Sequence, residues 1–170
     1  MLDDPYYMEF ALKEAEKALA MGEFPVGCII VRQDRIISAG SRTGTSSELD
    51  RVSEIDHAEI RALKNIDNAD IKFHPDSTVL FSTMEPCLMC FSAIILSGIK
   101  KIVYAYEDPM GGGTQCDLAQ LSPLYRESGI VVTSGVLREK SLALFKKFFK
   151  KEGNLYWKNS LLERYTLNQT

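Results

Sequence analysis

The sequence predicts an α/β fold: a three-layer α/β/α sandwich around a mixed five-stranded sheet, with an N-terminal antiparallel hairpin and later parallel strands. Three observations predict it. Short apolar runs rich in β-branched residues alternate along the chain with segments of helical periodicity. The first two runs are joined by a two-residue turn, which makes them antiparallel neighbours. The later runs are separated by helix-length segments, as parallel crossovers require. At 170 residues the chain suits one domain and can bury a substantial core.

In chain order, Asp4-Pro5 opens a helix, a cap followed by proline at the first helical position. Met8, Leu12, Ala15 and Leu19 mark its apolar face and Gly22 its stop. Residues 26–31 form the first strand, Gln33-Asp34 the turn, and residues 35–39 the second strand. Residues 40–55, rich in Gly, Ser, Thr and charge, make a long loop of the kind that often carries function. A helix opens at Asp56 and runs to about Asn65, and residues 77–83 are the third strand. A second central helix starts at Pro86 and ends near Gly98, followed by the fourth strand over 101–106. Gly111-Gly112-Gly113 leads into a weak helix over 116–127, a fifth strand over 129–133 and a helix over 137–151. The tail, with Tyr156, Trp157, Leu161, Leu162 and Tyr165, adds a further helix.

Composition narrows the function. Apolar residues at 45% and charged residues at 25% are ordinary globular usage. The longest apolar stretch, residues 86–99, is interrupted by Ser92, Ser97 and Gly98 and is too short for a membrane span. The acidic N-terminus has no apolar core and does not read as a secretory signal, so a cytoplasmic location is expected. A net charge of −3 carries no global sign of nucleic-acid binding. Lys146, Lys147, Lys150 and Lys151 nevertheless cluster around Phe145, Phe148 and Phe149. That cluster reads either as a solvated helix face over a core stripe or as a basic-aromatic contact for RNA.

Four cysteines in such a chain argue for metal or redox use before disulfides. Cys28 and Cys116 read as ordinary packed or surface thiols. Cys87 and Cys90 are three apart at a helix start, so their sulfurs share one face, and the helix N-terminus favours thiolates. With His57 they supply three of zinc's four tetrahedral positions, leaving one for a bound water or hydroxide. Three protein ligands and an open position mark a catalytic zinc site rather than a structural one. The only other histidine, His74, lies in Phe73-His74-Pro75, where a surface turn is expected. Glu59, two residues past His57, has two readings. It stands in capping-box separation from Asp56, and it is also the non-ligating carboxylate that hydrolysis needs to move protons.

Together, His57-Ala58-Glu59 and Pro86-Cys87-Leu88-Met89-Cys90 give the His-x-Glu…Pro-Cys-x-x-Cys pattern of zinc nucleobase deaminases. The sequence resembles the cytidine and deoxycytidylate deaminase superfamily over most of its length, most closely the branch of tRNA adenosine deaminases and guanine deaminases. Gly22-Glu23-Phe24-Pro25-Val26-Gly27, His57-Ala58-Glu59-Ile60 and Glu85-Pro86-Cys87-Leu88-Met89-Cys90 carry the match. The resemblance implies one Zn2+ per chain held by His57, Cys87 and Cys90, with Glu59 as proton shuttle. It implies base-pocket walls from Phe24, Pro25 and Val26, and backbone of Ala58 and Glu85 orienting nucleophile and amino group. Ser41 stands where the tRNA enzymes carry a base-contacting asparagine, and Asp108 matches an acidic position on a substrate-facing loop. A homodimer joined through the central helices is implied as well. The expected domain is catalytic over residues 1–152, with 153–170 a C-terminal extension packed on it. The expected activity is hydrolysis of a cyclic-amidine C–N bond, releasing ammonia from a nucleobase or nucleoside. A tRNA-specific adenosine deaminase making inosine in the anticodon is the alternative substrate reading, and a non-catalytic zinc-stabilised subunit is the non-enzymatic one.

Overall fold

The computed structural model describes residues 3–46, 52–67 and 77–170; His74 lies outside them. Helix α1 is Asp4–Ala20, and its cap is Asp3, whose side chain accepts from the Tyr6 N–H at 3.1 Å. Asp4, the expected cap, is instead the first helical residue, where its charge still suits the helix dipole. Strands β1 (Gly27–Arg32) and β2 (Arg35–Ser41) meet at Gln33-Asp34, with φ of 49° and 61°. Two successive positive φ values make a primed turn, whose twist matches that of the strands. Helix α2 (Ala58–Asp67), strand β3 (Thr78–Met84), helix α3 (Leu88–Leu96) and strand β4 (Lys101–Tyr106) follow.

The weak helix expected over 116–127 is two shorter pieces, a 3-10 turn at Leu118–Gln120 and α4 at Pro123–Arg126. Pro123 explains the break, because the residue before a proline is pushed to extended backbone, and Ser122 has ψ 157°. Strand β5 (Val131–Thr133), helix α5 (Arg138–Phe149) and helix α6 (Leu161–Asn168) complete the chain.

The sheet order is β2-β1-β3-β4-β5. β1 is antiparallel to both β2 and β3, while β3, β4 and β5 are parallel. Alternation along β1 sorts the two faces. Cys28 and Ile30 pack with Ala58 and Ala62 of α2 and Ile94 of α3, whereas Ile29 and Val31 pack with Met8, Ala11 and Leu12 of α1. α1 and α5 pack together on one side of the sheet, and α2 and α3 on the other. Two glycines let the helices approach closely. A Cβ on Gly27 would sit 2.2 Å from the Ala11 carbonyl oxygen, and one on Gly40 would sit 2.3 Å from that of Ala58.

Phe145, Phe148 and Phe149 of α5 are all buried, in a cluster with Phe24 and Tyr156. Of the two readings of the lysine-phenylalanine run, this is the core stripe, and the rings present no open face to a base. Leu162 of α6 is buried in the same core, and Tyr106 on β4 shares a hydrogen bond with Thr166 at 3.0 Å. Among the described residues, no helix is long and apolar enough to cross a membrane.

Candidate active site

A cleft opens where β3 and β4 end, the usual place for a site in a sheet with parallel strands. β3 leads directly through Glu85 and Pro86 into α3, and α2 lies alongside with its N-terminus at the same end. Cys87 is the N-cap of α3 and Cys90 lies in its first turn, so a Cys-x-x-Cys spacing places both sulfurs together. His57 immediately precedes α2. Its Nδ1 lies 3.6 Å from the Cys87 sulfur and 3.4 Å from that of Cys90. The three ligand atoms lie within 4.8 Å of one another, a group able to hold a metal ion. Tetrahedral zinc with N and S ligands spaces those ligands by roughly 3.5 Å, so nitrogen and sulfurs are already at coordinating separations. Cys28 is buried elsewhere and Cys116 is exposed, and neither joins the trio.

The local electrostatics follow from this packing. The Cys90 thiol hydrogen bond, assisted by His57, draws the Cys87 thiol down to about 4 against its burial. Cys90 is pushed the other way, by that same hydrogen bond and by burial. Burial works against a charged His57, but Cys87 and Glu59 more than offset it and raise the imidazole above its ordinary value. A thiolate beside an imidazole is a donor set suited to zinc.

Glu59 lies in the first turn of α2 and is fully enclosed. Its carboxylate does not cap Asp56. Asp56 instead accepts from the Ser53 hydroxyl at 2.6 Å, while Glu59 Oε1 accepts from the Ser82 hydroxyl of β3 at 3.0 Å. Glu59 Oε2 lies 3.6 Å from the Cys90 sulfur. Burial raises its pKa above the ordinary carboxylate value.

Beside the trio is a cavity of about 230 Å³. Of the residues expected to meet substrate, Phe24, Val26, Ala58, Glu85 and Asp108 line it. Pro25 is buried but is not among the lining residues. Ser41 is not brought to the cavity either. Its hydroxyl donates to Glu14 of α1 at 3.1 Å, on the opposite face of the sheet. The strand period explains this: Ser38 and Gly40 face α2, Ala39 and Ser41 face α1, and the next residue on the α2 side is Arg42. Arg42 does line the cavity.

Glu85 is fixed by four contacts. Its N–H donates to the Tyr106 carbonyl at 2.7 Å, and its carboxylate accepts from the Asp108 N–H and from both the N–H and the hydroxyl of Thr114. Asp108 accepts from the N–H groups of Met110 and Gly111 at 2.9 and 3.0 Å, which folds the glycine-rich loop against the cleft. Burial raises the Asp108 pKa.

Six lining residues fall outside the motif reading: Arg42, Glu54, Met84, Tyr156, Trp157 and Leu162. Strand alternation counted forward from Gly40 identifies Arg42, but nothing local to the tail tells which surface it covers. Glu23 lies in the Gly22-Glu23-Phe24-Pro25-Val26-Gly27 stretch, beside the pocket wall. Its buried carboxylate accepts from the N–H and hydroxyl of Thr45 and from the Ser46 N–H, and Thr45 in turn accepts from the Phe24 N–H at 2.8 Å. Glu23 thereby ties the pocket wall to the loop that follows β2.

A mixed sheet with this strand order, carrying His and Cys ligands at two converging helix starts, defines a zinc-dependent hydrolytic deaminase. Residues 1–106 match the family model for the cytidine and deoxycytidylate deaminase zinc-binding region, and the chain belongs to that family. A tRNA-specific adenosine deaminase of Bacillus subtilis is 35% identical over 152 residues, covering 88% of this chain and 91% of the relative. A structure from biochemical and structural studies of tRNA:A34 deaminases superposes with a TM-score of 0.63 at 29% identity, over 82% of this chain and 98% of that one. The guanine deaminase of Nitrosomonas europaea shares the fold, with a TM-score of 0.65 at 23% identity, over 87% of this chain and 85% of that one.

Proposed function

We propose that the chain deaminates a free nucleobase or nucleoside. The observation that carries this reading is the tail: Tyr156, Trp157 and Leu162 line the same cavity as His57 and Cys87. A cavity of about 230 Å³, covered from this side by the chain's own C-terminal segment, suits a single base. The acidic residues around it, Glu54, Glu85 and Asp108, disfavour a polyphosphate backbone alongside. Residues 1–152 act as the catalytic domain, and 153–170 as an extension packed on it that helps form the pocket.

His57, Cys87 and Cys90 would hold the zinc. When bound, zinc supplies Lewis-acid activation that lowers the pKa of water towards neutrality. Glu59 takes the proton from the attacking water on its carboxylate and returns it to the substrate ring and the departing amine. Its burial favours the protonated form it must pass through, and Ser82 keeps one oxygen engaged while the other carries the proton. The Glu85 N–H is already committed to Tyr106, so its carbonyl is left to orient the substrate amino group. Phe24 and Val26 flank the ring.

The alternative, adenosine in a tRNA anticodon loop, is favoured by the 35% identity to the B. subtilis tRNA-specific adenosine deaminase over 88% of the chain. Ammonia release by the zinc-loaded protein from adenine, guanine, cytosine, their nucleosides and an anticodon stem-loop separates the two. Turnover of the stem-loop alone overturns the free-base reading.

The protein would work as a homodimer in the cytoplasm. Leu88, Met89 and Leu96 of α3 and Leu124 of α4 are large apolar side chains left exposed along one flank, which supports pairing there.

A further inference from the structure

We infer that Glu23 is a positioning residue for the base pocket, holding Phe24 in place against the loop that follows β2; this rests on the reading that a base enters the cavity beside the zinc trio. Phe24, Val26 and Arg42 all line that cavity, but they come from two segments, one entering β1 and one leaving β2. The β1–β2 ladder ends at the pair Gly27 and Ser41, and one further backbone bond extends it, from the Arg42 N–H to the Val26 carbonyl at 2.9 Å. Pro25 comes next and has no N–H, so the backbone cannot continue the ladder there.

Side chains take over at that point. Oε2 of Glu23 accepts from the N–H and the hydroxyl of Thr45, each at 2.6 Å, and from the Ser46 N–H at 3.0 Å. The Thr45 oxygen accepts from the Phe24 N–H at 2.8 Å. The proton directions are forced. An N–H can only donate, so the Phe24 amide takes a lone pair of Thr45, and the single hydroxyl proton of Thr45 is left for Glu23. Glu23, Phe24, Thr45 and Ser46 are all buried, so breaking one of these bonds strands a polar group away from water.

Glu23 is itself anchored, since its N–H donates to the Ala18 carbonyl of α1 at 2.9 Å. Phe24 needs this anchor. Its ring packs with Phe145, Phe148 and Tyr156 at centroid distances of 5.1 to 5.4 Å. Apolar contact is non-directional, so that packing keeps the ring in the core, while the hydrogen bond to its backbone fixes where the ring meets the cavity. The loop has separate ties towards His57: the Ser53 N–H donates to the Gly44 carbonyl at 2.7 Å, and the Thr43 N–H to that of Asp56 at 3.4 Å. Loosening Glu23 therefore disturbs the pocket wall and leaves the zinc ligand in place.

The test is steady-state ammonia release by the zinc-loaded full chain and its Glu23→Ala, Glu23→Gln and Thr45→Val variants. The substrate is the base, nucleoside or stem-loop that the native chain turns over, and zinc content and Tm are measured for each protein. A role confined to stability lowers Tm and the active fraction, and with it the apparent kcat, but does not move KM. Glu23→Ala is expected to raise KM about tenfold with zinc retained, the lower end of what one methylene of misfit costs in an apolar pocket. Thr45→Val keeps the branched shape and removes the hydroxyl, so it probes the same link where Glu23→Ala does not fold, and should raise KM as well. Glu23→Gln keeps an oxygen able to accept all three bonds and should restore most of the native KM. An unchanged KM in Thr45→Val or in folded Glu23→Ala overturns the inference. Loss of zinc in either variant also overturns it, because the network would then act through His57. Both results leave the proposed deamination standing, whereas a native chain that releases ammonia from none of these substrates removes that reading and the inference with it.

Discussion

The Ser82 hydroxyl donates to Glu59 Oε1 at 3.0 Å, joining the centre of β3 to the first turn of α2 through two fully buried side chains. This contact fixes the rotation of the carboxylate, so that Oε2 is the oxygen turned towards the Cys90 sulfur. Without that hydroxyl the carboxylate keeps only the long contact to the Cys90 sulfur at 3.6 Å, and proton transfer depends on orientation. Ser82→Ala is therefore expected to lower kcat by about tenfold, a barrier change of about 1.4 kcal/mol. Zinc content should be unchanged, since Ser82 touches no ligand. Steady-state kinetics with metal analysis checks this, and a loss of zinc in the variant would assign Ser82 to holding the site together instead.

Removing the metal should destabilise the fold as well as stop turnover. His57 immediately precedes α2 and Cys90 lies in α3, and an ion shared between them staples the two helices in the native state alone. Chelation is expected to lower Tm, by a free energy of about 4 kcal/mol where zinc stands at a thousandfold excess over its Kd. Cys90→Ser should lose the metal and show the same lowered Tm without chelator. Cys116→Ser, at an exposed thiol outside the trio, should bind zinc like the native chain. Full zinc occupancy in Cys90→Ser would contradict the ligand set.

The pairing of Cys87 with Cys90 was legible because a Cys-x-x-Cys spacing at a helix start is fixed by helix geometry, whereas His57, thirty residues before Cys87, is brought to them only by the packing of α2 beside α3. Strand edges were legible for a similar reason: the fourth strand, expected over 101–106, is Lys101–Tyr106. Ser41 shows where local reading stops. Placing it required the register of β2 against β1, and the pairing of Gly27 with Ser41 turns that side chain to α1. Gly40 held the missing information, since only a residue without Cβ lets α2 approach so closely, and Arg42 shares its face. The tail was illegible in a different way. Tyr156 and Leu162 are apolar enough to be buried, but which surface they bury is decided by contacts with Phe24 and the cavity, far away in sequence.

The exposed apolar flank of α3 carries the expectation of a dimer. Leu96 is 60% exposed and Leu88 59%, and neither helps close the core of its own chain. Leu96→Glu places a charge on that flank, where burying it against a second copy would cost several kcal/mol. The native chain is expected to sediment as a dimer at micromolar concentration, and the variant as a monomer with native helix content by circular dichroism. A native chain that sediments as a monomer would show that this flank has no partner of its own kind.

Acid should loosen the tail before the rest of the fold. Glu107, just past β4, accepts from Arg138 of α5 and from the Tyr165 hydroxyl of α6, the latter at 2.7 Å. Arg138 also donates to Gln169 at 2.9 Å, so one carboxylate and one guanidinium hold α6 in place. The Arg138 hydrogen bonds lower the Glu107 pKa to about 2 from its ordinary 4.5. A depressed folded-state pKa means stability that is fully present above the unfolded value and is lost as pH falls through the folded one. The contribution is therefore constant above about pH 5 and declines between about 4.5 and 2. Glu107→Gln keeps the shape and removes the charge, and is expected to cost about 1–2 kcal/mol at neutral pH for a pair that is partly solvated. Urea unfolding of both proteins across this range checks it. The difference between them should shrink as pH falls below 4.5, and a difference that stayed constant down to pH 2 would mean that the charge on Glu107 does not hold α6.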